Sequence, residues 1–578
     1  MYGENAQRRR RRGGESMTQH RNTGGLLCLL YLFVSSSDAF LSNNSQKSCH
    51  RGILLQSTAA PLRQEASSFQ SLEDFNAHLE RIAEKCGSYK EPVIARAAEC
   101  QKLWEEEKEH ADAGSTSFQP DLSSFETMLT AWSKCTQTLA KSRRDHIELP
   151  MDSSSDGISI NVYTPLDAVK RATALLLAHP EPGLSSYNII MDAWSKSRVA
   201  EAPDANERLL RRMMEDKTVE PDTNSYNLLL DAWANSNREN SLEKVTQIYK
   251  HMENLREEGN TSVSPSIRTI NAVLHAHAKH AALLTKQNDF DEAHRCAAAA
   301  LEILREAQRR YEETKDPEWQ PDVASYTSCI DVHSRCGSYK ASRTAQDLLE
   351  ELKGLYAKTN NGNYKPNFRT YTSVVTAWSR TRSDVSPKRV EELMEEMAKA
   401  PATKPNARTY TAAIQCWARA RDPLKAKQVL KLLMEMREEY QKTGSKDIQP
   451  TTVTYNNAID ACARCQGNEQ QKTEALKIAF AILKTVELDE SCSPDNNTYS
   501  TLLRAVTFLM PSGDARNKVC LSVFDKAKKQ GLVDFMAVKN LRRAVDVSTM
   551  IRALEGNADR NGSFVYPDLP PSWSRNCS

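Results

Sequence analysis

Ser-Tyr-Asn-Ile-Ile-Met-Asp-Ala-Trp-Ser-Lys at residues 186–196 returns as Ser-Tyr-Asn-Leu-Leu-Leu-Asp-Ala-Trp-Ala-Asn at 225–235, and this recurrence decides the fold. Related stretches stand at 124–134, 370–380 and 409–419, the last reading Thr-Tyr-Thr-Ala-Ala-Ile-Gln-Cys-Trp-Ala-Arg. Aligning them gives nine anchors, Phe125, Tyr187, Tyr226, Ile270, Tyr326, Tyr371, Tyr410, Tyr455 and Tyr499. Successive anchors lie 62, 39, 44, 56, 45, 39, 45 and 44 residues apart, which suits helix pairs joined by loops of unequal length. Before each unit stands a proline with one small residue after it, as in Pro221-Asp222, Pro321-Asp322, Pro405-Asn406 and Pro494-Asp495. The proline stops the preceding helix, and Asp, Asn, Ser or Thr starts the next.

Each unit places its anchor, two aliphatics, Ala and Trp on adjoining faces of a first helix, and a second amphipathic helix follows, with Val245, Ile248, Tyr249, Met252 and Leu255 as one example. Neither helix can bury its apolar stripe alone, so the pairs must stack. Trp132, Trp194, Trp233, Trp378 and Trp417 share one repeat position and are expected to pack between neighbours. The expected fold is all-α, a right-handed superhelical solenoid of stacked helix-turn-helix repeats. A composition of 39% hydrophobic and 26% charged residues, with only 20 Gly and 23 Pro, suits such a helical array. Fourteen scattered cysteines show no framework spacing, which excludes a disulfide scaffold.

Tyr followed by Asn or Thr, then aliphatics, Ala, a basic residue, a second helix and a closing Pro-Asp or Pro-Asn together resemble the pentatricopeptide repeat. The resemblance covers roughly 122–534. The family's usual period is shorter, so extra loop is expected at about 142–163, 281–290, 312–319, 357–365 and 440–449. The resemblance implies binding of single-stranded RNA, one base per repeat, through the residue after the Tyr and the last residue before the next first helix. Here these pairs are Glu126 with Gly183, Asn188 with Asp222, Asn227 with Ser266, Asn271 with Asp322, and Thr327 with Asn367. They continue as Thr372 with Asn406, Thr411 with Thr451, Asn456 with Asp495, and Ser500 with Asp534. In the family Asn/Asp favours U, Asn/Ser favours C and Thr/Asn favours A, so the chain spells N-U-C-U-A-A-N-U-N from 5′ to 3′, where N is unspecified.

Eight residues beyond the first member of each pair stand Lys134, Lys196, Lys279, Arg335, Arg380, Arg419 and Arg464, with Asn235 and Phe508 as exceptions. Stacked, these form a ladder of cations that can track a phosphate backbone. Such local placement is needed, because the formal net charge is only +2. Arg268, Arg369 and Arg408 stand where bases would stack, a place the family usually gives to an apolar residue. Catalytic chemistry finds no footing. Cys462 and Cys465 are a lone pair inside a repeat helix, His275 and His277 diverge on theirs, and His277 takes the place of the packing Trp. No cofactor or metal is expected, and no small-molecule substrate. The alternative, a helical scaffold gripping a protein partner, would call for apolar groove residues where Asn, Thr and basic residues stand.

The ends complete the plan. Residues 1–39 carry Arg8 to Arg12 and Arg21 ahead of an apolar run from Leu26 to Val34, as in a signal peptide, with Met1 or Met17 as the start. Their removal takes away six Arg and three acids and leaves the remainder near −1. Residues 40–70 then resemble a transit peptide, with no acid from Phe40 to Arg63. That two-part leader resembles those of complex plastids, with the mitochondrion as the alternative address. The expected partners are organellar single-stranded RNA and processing or translation factors, not a membrane. Residues 71–121 read as a helical cap or degenerate repeat, 535–554 as a capping helix and 555–578 as a polar tail.

Overall fold

The computed structural model describes residues 69, 71–87, 93–113, 118–141, 164–215, 219–489, 491–555 and 570–577. The leader at 1–68 and the insert at 142–163 lie outside them. Two compact units divide the chain, one within Thr58–Ala377 and one within Trp378–Ser578. Among the described residues every regular element is a helix and none is a strand.

The helices come in pairs. A first pair, α1 (Leu72–Lys85) and α2 (Val93–Asp112), precedes the nine units read from the sequence. These are α3 (Leu122–Lys141) with α4 (Pro165–Ala178), α5 (Leu184–Ser197) with α6 (Ala202–Glu215), and α7 (Thr223–Asn235) with α8 (Ser241–Glu257). Next are α9 (Ile267–Gln287) with α10 (Phe290–Thr314), α11 (Val323–Arg335) with α12 (Tyr339–Thr359), and α13 (Phe368–Arg380) with α14 (Ser386–Ala398). The last are α15 (Ala407–Arg419) with α16 (Lys425–Thr443), α17 (Thr452–Ala463) with α18 (Glu469–Leu488), and α19 (Asn496–Leu509) with α20 (Asp514–Gln530). Short helices α21 (Phe535–Ala544), α22 (Val547–Ala553) and α23 (Pro571–Ser574) close the chain. Within Thr58–Ala377 the first helices α1, α3, α5, α7, α9 and α11 pack in succession, and within Trp378–Ser578 so do α15, α17, α19 and α21; each of these from α1 to α19 also packs on its own second helix. Each of the two compact units is therefore all-α, built of stacked helix-turn-helix repeats.

The shared tryptophan position is the seam of this stacking. Trp132, Trp194, Trp233, Trp378 and Trp417 are all buried. Three of them use the indole N–H to hold the preceding second helix: Trp132 donates to Gln101 Oε1 at 3.2 Å, Trp194 to Thr173 Oγ1 at 2.9 Å and Trp233 to Glu207 Oε1 at 3.1 Å. In the fourth unit His277 fills the position, buried, with Nδ1 3.2 Å from Cys296 Sγ on α10.

The excess over the usual period is not loop, which corrects the expectation for four inserts. At 281–290, α9 runs on to Gln287 and only Asn288 and Asp289 separate it from α10, because Ala281 and Leu284 continue the buried stripe. At 312–319, 357–365 and 440–449, lengthened second helices lead into 3-10 turns at Pro317–Trp319, Gly362–Tyr364 and Lys446–Ile448. Trp319 and Tyr364 from two of these turns are buried, so the extra residues add core. At the far end, Trp573 on α23 folds back against Phe524 of α20, and the Val533 N–H donates to the Trp573 carbonyl at 2.8 Å.

Candidate nucleic-acid interface

The last residue of each unit turns out to start a helix. Asp222, Asp322, Asn406, Thr451 and Asp495 are the N-caps of α7, α11, α15, α17 and α19, each in a reciprocal capping box with a hydroxyl residue three places on. Asn367 accepts from the Thr370 N–H at 3.2 Å, Asp534 from the Ala537 N–H at 2.7 Å, and the Ser266 N–H donates to Thr269 Oγ1 at 3.1 Å. Gly183 caps α5 with no side chain. Free N–H groups at a helix start require such acceptors, and Asp, Asn and Ser serve about equally well. Capping therefore explains why the position is small and polar, and leaves the choice among these residues open to another demand.

The capping hydroxyl also reaches back one repeat. Ser225 Oγ, besides Asp222, reaches Asn188 Oδ1 at 2.8 Å, and Asn188 Nδ2 donates to Asp222 Oδ1 at 3.3 Å. The eighth unit repeats this arrangement, with Thr498 Oγ1 on Asn456 Oδ1 at 2.7 Å and Asn456 Nδ2 on Asp495 Oδ1 at 2.9 Å. Asn271 Nδ2 donates to Asp322 Oδ1 at 3.2 Å, while Asn271 Oδ1 has no partner among the described residues. Thr269 donates to Asn227 Oδ1 at 2.8 Å, Ser186 to Glu126 Oε1 at 3.0 Å, and the hydroxyl pairs Thr327–Thr370 and Thr411–Thr454 meet at 2.8 Å and 3.0 Å. Both Thr372 and Thr411 also donate to their own helix, to Phe368 O at 2.6 Å and Ala407 O at 2.7 Å.

Exposure differs along the series. Asn188, Asn271, Thr327, Thr411 and Asn456 are half-buried, as are Asp222, Asp322, Asn367, Asn406, Asp495 and Asp534, and Thr451 is exposed. Asn227, Ser266, Thr372 and Ser500 are buried, Ser500 beneath Asn540, whose Nδ2 donates to its carbonyl at 2.9 Å. The sequence reading missed one further member. Asn76 on α1 accepts from Ser124 Oγ, and Ser124 sits in a capping arrangement with Asp121, just as Ser225 relates Asn188 to Asp222. The signal was present in Ser71-Leu-Glu-Asp-Phe-Asn, a cap, an aromatic anchor and the Asn after it.

The cation ladder is partly tied down. Lys196 pairs with Asp192 at 2.7 Å, Arg335 with Asp331 at 3.0 Å and Arg464 with Asp460 at 2.8 Å, each one helical turn earlier. Asp460 also meets Arg504. Arg419 donates to the Ser379 carbonyl at 2.6 Å. Lys134 and Lys279 are half-buried and make no salt bridge among the described residues, and Arg380 is half-buried. Lys134, Asn188, Asp192, Asp222 and Arg268 line one cleft of about 610 Å³ across the first helices of units one to four. Among the described residues no three His, Cys, Asp or Glu side chains gather to hold a metal ion, and no helix is long and apolar enough to cross a membrane.

Against this geometry stand the comparisons with known proteins. Residues 392–465, from within α14 to just beyond α17, match the pentatricopeptide repeat domain. Comparison with curated proteins returns no match. Among solved structures, the chain is similar to the pentatricopeptide repeat protein PPR10 in complex with an 18-nt psaJ RNA element, at 17% identity and a TM-score of 0.31, over 87% of this chain. It spans 63% of the length of that protein. The structure of PPR10 from maize matches at 14% identity and a TM-score of 0.26, over 85% of this chain and 78% of that one. That domain match falls among helix pairs whose anchor residues recur through the rest of the chain.

Proposed function

We propose that this protein binds single-stranded RNA with sequence selectivity and acts on transcripts by occupying them, supporting their stability, processing or translation. The observation that carries the reading is the held orientation of Asn188 and Asn456. A primary amide has two N–H groups and two acceptor lone pairs. One N–H of each goes to the capping Asp, and one lone pair takes the neighbouring hydroxyl. One donor and one acceptor remain, side by side, in an orientation the protein fixes beforehand. That pattern complements an imide edge with an N–H beside a carbonyl, as uracil presents, and pre-orientation spares the entropy of ordering the amide on binding.

Binding without covalent chemistry is the reading the thiols support. Burial pushes Cys296, Cys416 and Cys520 up to about 12, far from a thiolate nucleophile at neutral pH. A scaffold for protein partners is favoured less, since the cleft across the first helices of units one to four sets Lys134, Asn188, Asp192, Asp222 and Arg268 beside Leu184, Ile189 and Leu228 rather than offering an apolar groove. The leader reading makes a plastid the proposed site of action, with the mitochondrion second. A gel shift with an oligonucleotide containing U-C-U-A-A-N-U, titrated with salt, tests the proposal. Tight, salt-sensitive binding that fails on a scrambled sequence is expected, and indifference to sequence and salt would refute it.

A further inference from the structure

Phosphate recognition needs cations that are not already spent on carboxylates, and three of the seven in the ladder read from the sequence are spent. Lys196, Arg335 and Arg464 each sit on an aspartate of their own helix. Arg268 is placed differently. It is the second residue of α9, exposed, and takes part in no salt bridge among the described residues. Its side chain belongs to the fourth unit yet lines the cleft beside Asn188 and Asp222 of the second. Asp231 on the intervening α7 feels its charge without forming an ion pair with it.

Stability does not explain the residue. A cation in the first turn of a helix opposes the macrodipole at a cost of a few tenths of a kcal/mol, and no carboxylate is bound in return. Arg369 and Arg408 occupy the same second position of α13 and α15 and are likewise exposed. An arginine set against the dipole, open to solvent and facing a cleft of polar pairs is suited to an anion that arrives from outside.

We propose that Arg268 binds a phosphodiester of the RNA strand whose base meets Asn188 and Asp222, so that the fourth unit clamps the backbone of a nucleotide read by the second. This rests on the RNA-binding reading above. The guanidinium offers a planar fork of N–H donors that fits phosphate oxygens in a bidentate way, whereas the salt-bridged ladder must first give up its aspartates. The second-position arginines thereby carry backbone contact that the ladder alone does not supply.

The test is equilibrium binding of the full chain to a U-C-U-A-A-N-U oligonucleotide across a salt series, for wild type, Arg268→Ala, Arg268→Lys and Arg335→Ala. Each phosphate contact on a single strand contributes about 0.7 to the slope of log K against log salt. Arg268→Ala is expected to weaken binding by about tenfold at 0.1 M salt and to reduce the slope by about 0.7, with base preference unchanged. Arg268→Lys should keep most of the slope, and Arg335→Ala should change it by less than half as much. Thermal melting of Arg268→Ala should match wild type, as expected for an exposed side chain. If wild type binds and Arg268→Ala alters neither affinity nor slope, the phosphate clamp is wrong while RNA binding stands. Weakened binding with an unchanged slope would mean stacking on a base and would also overturn it. If wild type itself fails to bind, the RNA reading falls and the clamp falls with it.

Discussion

Ser225 of the third repeat reaches Asn188 Oδ1 of the second across 2.8 Å with the same hydroxyl that completes the cap of α7. One hydroxyl thus starts a helix, joins two repeats and sets the direction of an amide. The relationship recurs between Thr269 and Asn227 and between Thr498 and Asn456. Side chains proposed to read bases are therefore part of the joint between repeats, so substitutions there act on stability and on recognition together.

Ser225→Ala separates those two effects. Loss of half the capping box should cost about 1 kcal/mol, measured by denaturant unfolding. Asn188 would also lose its acceptor-side restraint, so preference at that single nucleotide should broaden while the salt slope stays fixed. Unaltered base preference would show that the hydroxyl does not orient the amide.

Asp192→Asn should strengthen RNA binding. Asp192 holds Lys196 at 2.7 Å and also accepts from Gln137 Nε2 at 3.2 Å. Removing its charge frees the lysine and deletes a repulsive group from the cleft. An affinity gain of about threefold to tenfold with a steeper salt dependence is expected, since exposed pairs are worth under about 1 kcal/mol to the fold. A loss of affinity would count against phosphate tracking by the ladder.

Trp194→Ala should destabilise its unit by about 3–5 kcal/mol through lost burial and cavity formation. Trp194→Phe keeps most of the apolar volume but leaves Thr173 without its indole donor, at about 1 kcal/mol. Because the repeats stack in one dimension, hydrogen exchange should speed up around α4 to α6 first. Uniform acceleration across the whole chain would contradict a seam made of local contacts.

His277 predicts acid sensitivity. Burial, with His280 adding repulsion, pulls its imidazole from 6.5 down to about 4. Between those values the unfolded chain binds a proton that the folded chain refuses, so stability falls as pH drops from about 6.5 to about 4, by about 3 kcal/mol for this group. Burial moves His275, His280 and His333 in the same direction. His277→Phe should therefore flatten the curve of unfolding free energy against pH without levelling it. An unchanged curve would show that His277 is solvated in solution.

Local periodicity carried most of the fold into view. The Tyr and Trp positions recur at helical spacing and are buried where that spacing placed them, because a stripe that cannot bury itself alone must pack on its neighbour. The excess residues were harder to read, since an apolar stripe such as Ala281 and Leu284 continues a helix as readily as it begins a loop. Trp573 was not legible, because its partners Phe524 and Lys528 lie far away in sequence and share no period with it. At the interface, residue types revealed the polar pairs but not the hydroxyls that join them. The pairing of Lys196, Arg335 and Arg464 with Asp192, Asp331 and Asp460 was available from their spacing of four on a helix, a rule that weighs as much as the cation count.

Selection from random-sequence RNA, run in parallel with wild type and with Asn188→Thr combined with Asp222→Asn, tests most directly whether these pairs read bases. Wild type should enrich U-C-U-A-A-N-U, and the double variant should replace the first U by A while leaving the other positions alone. Unrelated sequences from wild type, or the same consensus from both proteins, would contradict the account.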